Sequence, residues 1–396
     1  MIDGPIRTLH LLTSLHRRGA ETFAVQMIDR LDRERFSPHI WPARPAGPDG
    51  LVPERTPVLR GGADSTPRAL RGLVRSLRTV RPHLVQCHGG AALKLAVAAK
   101  PFWRPRAYVY NKILSIHPHL DHPVKRSLFA FLIEQVDAIV GVGEEIRREV
   151  EVTFHPRRAR LVTIRNGRDV RPFLAVTPAV AAETRRALGL AAGDICLMQV
   201  GIAWEKDPLV SLRAFAELAP AHPELRLVFV GEGPLQGELA REAAARGLGG
   251  RVHVLGVRRD VPALLSAADV LVLPSITEGL PGVLIEAGMA GCAAVAYDTG
   301  SVRDVLIEGV TGYIVPLGDT TALTARLREV VRDGALRRQM GREAMARCRG
   351  EFDIEASVRK YESLFAELVG ESAEARSIQA APAMPTLKGG DAWPGS

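Results

Sequence analysis

The chain has 396 residues, 46% of them hydrophobic and 24% charged, with a formal net charge of +8. That is about two to three times the usual single-domain length, with enough apolar material for sizeable cores, so two domains are expected and disordered, collagen-like, coiled-coil and disulfide-scaffold classes drop out. Four cysteines, Cys87, Cys196, Cys292 and Cys348, lie far apart with no C-x-x-C pair and no histidine at metal-ligand spacing, and read as free thiols in a reducing compartment.

Taken in chain order, short apolar runs alternate with helix-like stretches. Residues 6–12 read as a strand, 21–31 repeat apolar residues at helical spacing, and 84–87 and 138–142 are further short strands. The apolar stretch 127–142 is interrupted by Glu134, Gln135 and Asp137 and falls far short of the ~20 apolar residues of a membrane span. The first residues reach His10 and His16 before any long apolar core forms, so no signal peptide is expected and the chain is assigned to the cytoplasm. Pro172 to Pro178 interrupts both periodicities and marks a boundary. Beyond it, strands are expected at 195–200, 225–230, 252–255, 270–273 and 293–296, each beside a helical stretch, and a long amphipathic helix at 354–369. The resulting expectation is an α/β protein of two Rossmann-like doubly wound domains, 1–175 and 176–353, then the helix within 354–370 and a disordered tail at 371–396.

Charge is unevenly divided. Residues 1–175 carry 29 Lys and Arg against 16 Asp and Glu, whereas the remainder carries 23 against 28. A basic first domain favours an anionic partner, such as lipid headgroups or a phosphorylated acceptor. Nucleic acid is not expected, because the arginines are not interleaved with aromatics and no reader motif occurs.

The segment from Leu273 to Cys292 carries most of the chemistry, running from a strand end into a helix with Glu278 and Glu286 eight residues apart. On one helix they would lie about 12 Å apart along the axis, too far for the carboxylate pair of a retaining glycosidase at about 5–5.5 Å. With Glu278 in a loop and Pro281 at the first helical positions, the amides of Gly279, Leu280 and the residues after Pro281 would face an anion. Glu286 could accept from a ribose diol and Glu278 from sugar hydroxyls.

These residues closely resemble the E-x7-E signature of the retaining glycosyltransferases of family four, which have the two-Rossmann-domain B-type fold. Arg18-Gly19-Ala20-Glu21 resembles the family's Gly-Gly-Ala-Glu loop, and Asn166-Gly167-Arg168-Asp169 its Asn-Gly-Val-Asp stretch. Gly201 followed by Lys206 matches the diphosphate-binding region, and Gly231-Glu232-Gly233-Pro234 the Gly-Asp-Gly-Pro turn. The resemblance implies transfer of a sugar from a nucleotide diphosphate sugar with its anomeric configuration kept, with no required metal or other cofactor. The donor would lie mostly on the second domain. The acceptor, a glycan, lipid-linked or small molecule, would lie on the first, which suits peripheral contact with an anionic membrane and a part in polysaccharide biosynthesis. It further implies that Lys206 neutralises the diphosphate, Glu286 holds the ribose, and Glu278 with Gly279 and Leu280 orients the sugar and its phosphate. The Gly19 backbone would approach the phosphate from the other domain, and the final helix would return to the first domain.

The chain departs from the pattern at several positions. The family usually has Gly-Arg-Leu before the lysine loop, but here Gly201-Ile202-Ala203 lacks the arginine, which Arg18, Arg258 or Arg259 could replace. Many relatives carry a histidine after the fourth strand of the first domain. Tyr108 to Lys112 occupies that region, leaving Asn111, His117 and His119 as alternatives, while His88 matches a frequent His-Gly. Thr299-Gly300 to Asp304 is a worn version of a family turn and is read as structural. Other readings are a dinucleotide-dependent oxidoreductase, a sugar-nucleotide epimerase and a non-catalytic partner subunit. The first fails on residue identity, because Gln236 and Ile146 stand where a G-x-G-x-x-G motif needs its third glycine.

Overall fold

The computed structural model describes residues 2, 4–16, 19–44, 50–61, 66–116 and 122–370. Arg18, His117, His119 and the tail 371–396 lie outside the described residues. Two six-stranded parallel sheets organise the chain. The first contains β1 (Ile6–Leu12), β2 (Phe36–Pro42), β3 (Leu84–His88), β4 (Ala107–Lys112), β5 (Ala138–Gly141) and β6 (Arg160–Thr163), in the order β2-β1-β3-β4-β5-β6. The second contains β7 (Ile195–Val200), β8 (Leu225–Val230), β9 (Val252–Val254), β10 (Val270–Leu273), β11 (Ala293–Tyr297) and β12 (Gly312–Val315), in the order β12-β11-β10-β7-β8-β9. Parallel neighbours need crossover connections, and helices supply them on both faces, so each sheet is buried twice. This is the expected α/β architecture of two doubly wound halves.

Strand alternation sorts the side chains between layers. On β1, Leu9 and Leu11 join one core of the first lobe, with Trp41, Leu73 and Ala92. Ile6 and Leu12 join the other, with Phe23, Ile28 and the C-terminal helix. That helix, Ile354–Val369, starts at an Asp353 cap and stops at Gly370, whose φ of 87° favours glycine. Its Ile354, Val358, Tyr361, Phe365 and Val369 recur at helical spacing and bury against the first lobe, although the helix follows the second lobe in sequence.

The chain therefore passes between the lobes twice, and the two passages are tied together. The Arg168 amide donates to the Phe352 carbonyl at 2.8 Å, and the Ile354 amide donates to the Arg168 carbonyl at 3.1 Å. In the second lobe, helix Gly282–Ala290 follows β10 and packs on β10 and β11 beside helix Gly334–Glu351, which itself reaches β11 and β12. The contact is close because Gly288 has no side chain; a Cβ there would fall 2.3 Å from the Cys348 sulfur. Among the described residues, no helix is long and apolar enough to cross a membrane.

Candidate functional site

The carboxyl ends of β7 and β10 set the position of the site, as expected for an open parallel sheet. After β7 the chain turns at Gly201, whose φ is 95°, and makes a short 3-10 turn over Trp204–Lys206. Gln199, fully buried, anchors this turn by donating to the carbonyls of Lys206 at 2.8 Å and Gly201 at 3.2 Å. Its own oxygen accepts from the Ser211 hydroxyl at 2.6 Å. The missing arginine has a physical explanation here: Ile202 faces the second-lobe core and is fully buried. Gly233 packs on that turn, where a Cβ would lie 2.6 Å from the Ile202 carbonyl.

The Ile276 amide ties the loop after β10 to the lysine turn by donating to the Glu205 carbonyl at 3.0 Å. That bond brings the Lys206 ammonium to within 2.5 Å of the Glu278 carboxylate, with side-chain exposures of 25% and 9%. Pro281 precedes the helix instead of occupying its first turn, correcting the sequence expectation: its ψ of 101° is extended, and the helix begins at Gly282. Gly279, Leu280 and Pro281 therefore form the approach to the helix, and the first-turn amides belong to Gly282 and the residues after it. Glu286 lies about one turn into the helix.

The first lobe meets these residues directly. A Cβ on Gly279 would lie 1.8 Å from the Ile113 carbonyl, just past β4, and one on Gly143 would lie 2.2 Å from the Ser301 hydroxyl. Asp304 closes the same edge, accepting from the Glu144 amide at 2.8 Å and from Arg165 at 2.9 Å. The 299–304 turn, read from sequence as structural, is thus part of the contact between lobes. Gly19 opens the helix Gly19–Arg30 (α1) after β1, beside the passage between lobes: a Cβ there would lie 3.4 Å from an Arg168 nitrogen.

Arg168 is the residue that sequence reasoning missed. Its Nε donates to Glu286 at 2.7 Å, joining the passage between lobes to the expected ribose-binding carboxylate. The signal was present as an arginine in a stretch whose family counterpart has valine. The remaining candidates separate. Arg258 is held by Asp260 at 2.6 Å, and Arg259 lies beside it on the same loop. Asn111 does not face the cleft, because its oxygen accepts from Gln86 at 2.9 Å and its nitrogen donates to the Tyr361 hydroxyl at 2.8 Å beneath the C-terminal helix. Both ends of the amide are used inside the fold, which corrects its assignment as a ligand contact.

His88, at the end of β3, is buried, and its Nε2 has no hydrogen-bond partner among the described residues. Burial pushes its pKa down to about 3. His10 lies 6.0 Å away ring to ring and is also held well below the usual range, by burial first and then by His88. Both rings are therefore neutral at physiological pH, and His88 can offer hydrogen bonds but no fixed positive charge. Since both sites protonate near pH 6.5 in the unfolded chain and much lower in the folded one, their contribution is fully present above pH 6.5 and is lost as pH falls toward the folded value. The melting temperature is expected to fall steadily between pH 6.5 and 4, and His88→Gln to flatten that slope; equal slopes in the two proteins would contradict this.

Four further polar atoms on the loops around this cleft, the Asn166 oxygen and the Ser275, Thr277 and Ser301 hydroxyls, are buried without a partner among the described residues. Such atoms are uncommon in folded proteins. No group of three or more metal-ligating side chains occurs among the described residues.

Residues 181–347 match the family described as "Glycosyl transferases group 1", and residues 17–172 match "Glycosyltransferase Family 4". Putative glycosyltransferase EpsD of Bacillus subtilis is 28% identical over 301 residues, 72% of this chain and 77% of that protein. Exopolysaccharide phosphotransferase SCO2592 of Streptomyces coelicolor is 32% identical over 210 residues, 52% of this chain, and the match spans only 22% of that protein's length. Among solved structures, Anabaena Alr3699/HepE in complex with UDP and glucose superposes with a TM-score of 0.80 at 19% identity, covering 91% of this chain and 100% of that one.

Proposed function

Because the chain belongs to the group 1 glycosyltransferases of the B-type fold, we propose that it transfers a sugar from a nucleotide diphosphate sugar to an acceptor with retention of anomeric configuration. The observation that carries this reading is the convergence of Lys206, Glu278 and the amino end of helix Gly282–Ala290, which lies across the Arg168 guanidinium from the first residue of α1. In this reading residues 176–353 hold the donor and 1–175 the acceptor. Glu286 takes the ribose diol and Glu278 the sugar hydroxyls. The bond from the anomeric carbon to the phosphate oxygen breaks with its electron pair going to the diphosphate, so negative charge grows there as the reaction proceeds. Lys206 and the helix amides stabilise that charge more in the transition state than in the ground state. The acceptor hydroxyl forms the new bond on the same face, and its proton passes to the departing phosphate. This assigns charge neutralisation to Lys206 and backbone amides instead of a metal.

The test is to incubate the purified chain with UDP-, GDP- and ADP-sugars in EDTA and follow release of the nucleoside diphosphate. Release that disappears in Glu286→Gln and Lys206→Ala supports the reading. A protein that turns over none of them, with or without acceptor glycans, would instead be the non-catalytic partner subunit.

A lipid-linked or cell-envelope glycan is the acceptor class that suits the first lobe's surface. Helix Thr66–Val80 (α2) buries Ala69, Leu73 and Leu77 and exposes Arg68, Arg71, Arg75 and Arg78 along one side. It packs beside Gly90–Ala99 (α3), which in turn packs beside Pro123–Ile133 (α4). On α4, Val124, Leu128 and Phe131 are 67%, 46% and 58% exposed and share one side, with exposed Lys125 and Arg126 nearby. Each arginine near an anionic bilayer contributes about 1 kcal/mol. The chain is expected to sediment with phosphatidylglycerol vesicles at low salt and to release them as salt rises. Arg71→Glu with Arg75→Glu should weaken binding by about a hundredfold or more. No binding at low salt would favour a soluble acceptor.

A further inference from the structure

Arg168 occupies an unusual electrostatic position. Its side chain is 10% exposed and lies between the first residues of two helices, Gly19 of α1 and Gly282 after the E-x7-E loop. A Cβ on Gly282 would fall 1.5 Å from its Nη2, so glycine there makes room for the guanidinium. Helix amino ends carry partial positive charge. A guanidinium placed between two of them adds to the positive potential, and Glu286 supplies the carboxylate recorded against it. The arrangement places a guanidinium, largely shielded from water, at two helix amino ends and beside a carboxylate that the preceding section gives to a ribose. Meanwhile the turn at Gly201 carries the buried Ile202 where the family resemblance leads to arginine.

We propose that Arg168 supplies the clamp charge missing from the Gly201–Lys206 turn. In this structure its Nε donates to Glu286 and its Nη1 to the carbonyls of Gly167 and Asn166. When the ribose diol takes Glu286, the guanidinium turns to the diphosphate oxygens between Gly19 and Gly282. The exchange replaces one internal ion pair with a carboxylate–diol contact and a guanidinium–phosphate contact, which suits the planar fork of arginine. Its backbone is fixed by the paired passages between lobes, so only the side chain needs to move. The inference rests on the proposed donor site, and its test separates the two.

UDP, GDP and ADP, with uridine, guanosine and adenosine, are titrated calorimetrically into the full chain and its variants. Binding of at least one diphosphate by the unmodified chain supports the donor site; binding of none would overturn both the site and the role of Arg168. With binding established, Arg168→Met should weaken the diphosphate by about 10- to 100-fold. It should leave the matching nucleoside unchanged or tighter, because Glu286 loses its internal partner. Arg168→Lys should recover part of the loss. If Arg168→Met does not fold, Gly282→Ala displaces the same guanidinium without removing its charge and should also weaken the diphosphate selectively. Unchanged diphosphate affinity, or an equal loss for diphosphate and nucleoside, would overturn the role of Arg168 while leaving the donor site standing.

Discussion

Lys206→Ala is expected to reduce kcat/KM for the donor sugar by about a hundred- to a thousandfold, the range found when one preorganised charge-stabilising donor is removed. The lysine does two things at once. Its ammonium holds Glu278 at 2.5 Å, and in the proposed reaction it faces the leaving diphosphate. Loss of the first role leaves a nearly buried carboxylate without its cation, a stability cost of about 1–3 kcal/mol. Loss of the second acts on the transition state, because charge on the diphosphate is greatest there. Denaturant unfolding measured beside the kinetics separates them: the double variant Lys206→Ala, Glu278→Gln should regain stability while activity stays low. Near-normal turnover in Lys206→Ala would remove the lysine from the reaction.

Gly279→Ala should cost at least about a hundredfold in kcat/KM, the scale expected when a reacting geometry is displaced by about 1 Å. The added methyl would sit 1.8 Å from the Ile113 carbonyl and 3.4 Å from a Val142 methyl, both on the first lobe. Gly279 has no positive φ, so the substitution is not strained within its own loop. The clash is with backbone across the gap, which cannot move aside as a side-chain tip could, and the lobes must separate. Gly143→Ala, pressing Ser301 from the opposite side, should have the same consequence. Small-angle scattering should report a larger radius of gyration for both variants, while each lobe keeps its secondary structure by circular dichroism. Unchanged scattering and unchanged kinetics would show that the close approach at Gly279 is not required.

Much of the fold was legible because most central strands of a doubly wound sheet are continuous apolar runs. Residues 6–12, 195–200, 225–230 and 270–273 coincide with β1, β7, β8 and β10, all interior strands. Of the four strands that escaped notice, β2, β6 and β12 lie at sheet edges and β4 is interior. At an edge the outer side carries at most a single bridge, as between Ile40 and Val58 and between Gly312 and Glu308, so the sequence is freer: β2 contains Pro38 and ends at Pro42, and β6 has no fully buried residue. The C-terminal helix was visible from its periodicity, but its packing on the first lobe came only from family resemblance, since periodicity does not name a partner.

The candidate site divides in the same way. Lys206, Glu278 and Glu286 stood out because they belong to contiguous motifs set by loop and helix geometry. Arg168 did not, since its meaning depends on Glu286, 118 positions later, and on two glycines that leave space around it. Asn111 was read as a possible ligand contact because it stands where many relatives carry a histidine. The Tyr361 hydroxyl that captures it lies 250 positions away, on the returning helix. Contacts across such separations leave no local pattern.

A crystal of the chain grown with the tightest-binding nucleoside diphosphate tests the donor assignment most directly. Density is expected in the groove between lobes, with the diphosphate against Lys206 and the first amides of helix Gly282–Ala290, and the ribose on Glu286. A fully occupied nucleotide lying anywhere else, with the Lys206–Glu278 and Arg168–Glu286 pairs undisturbed, would contradict it.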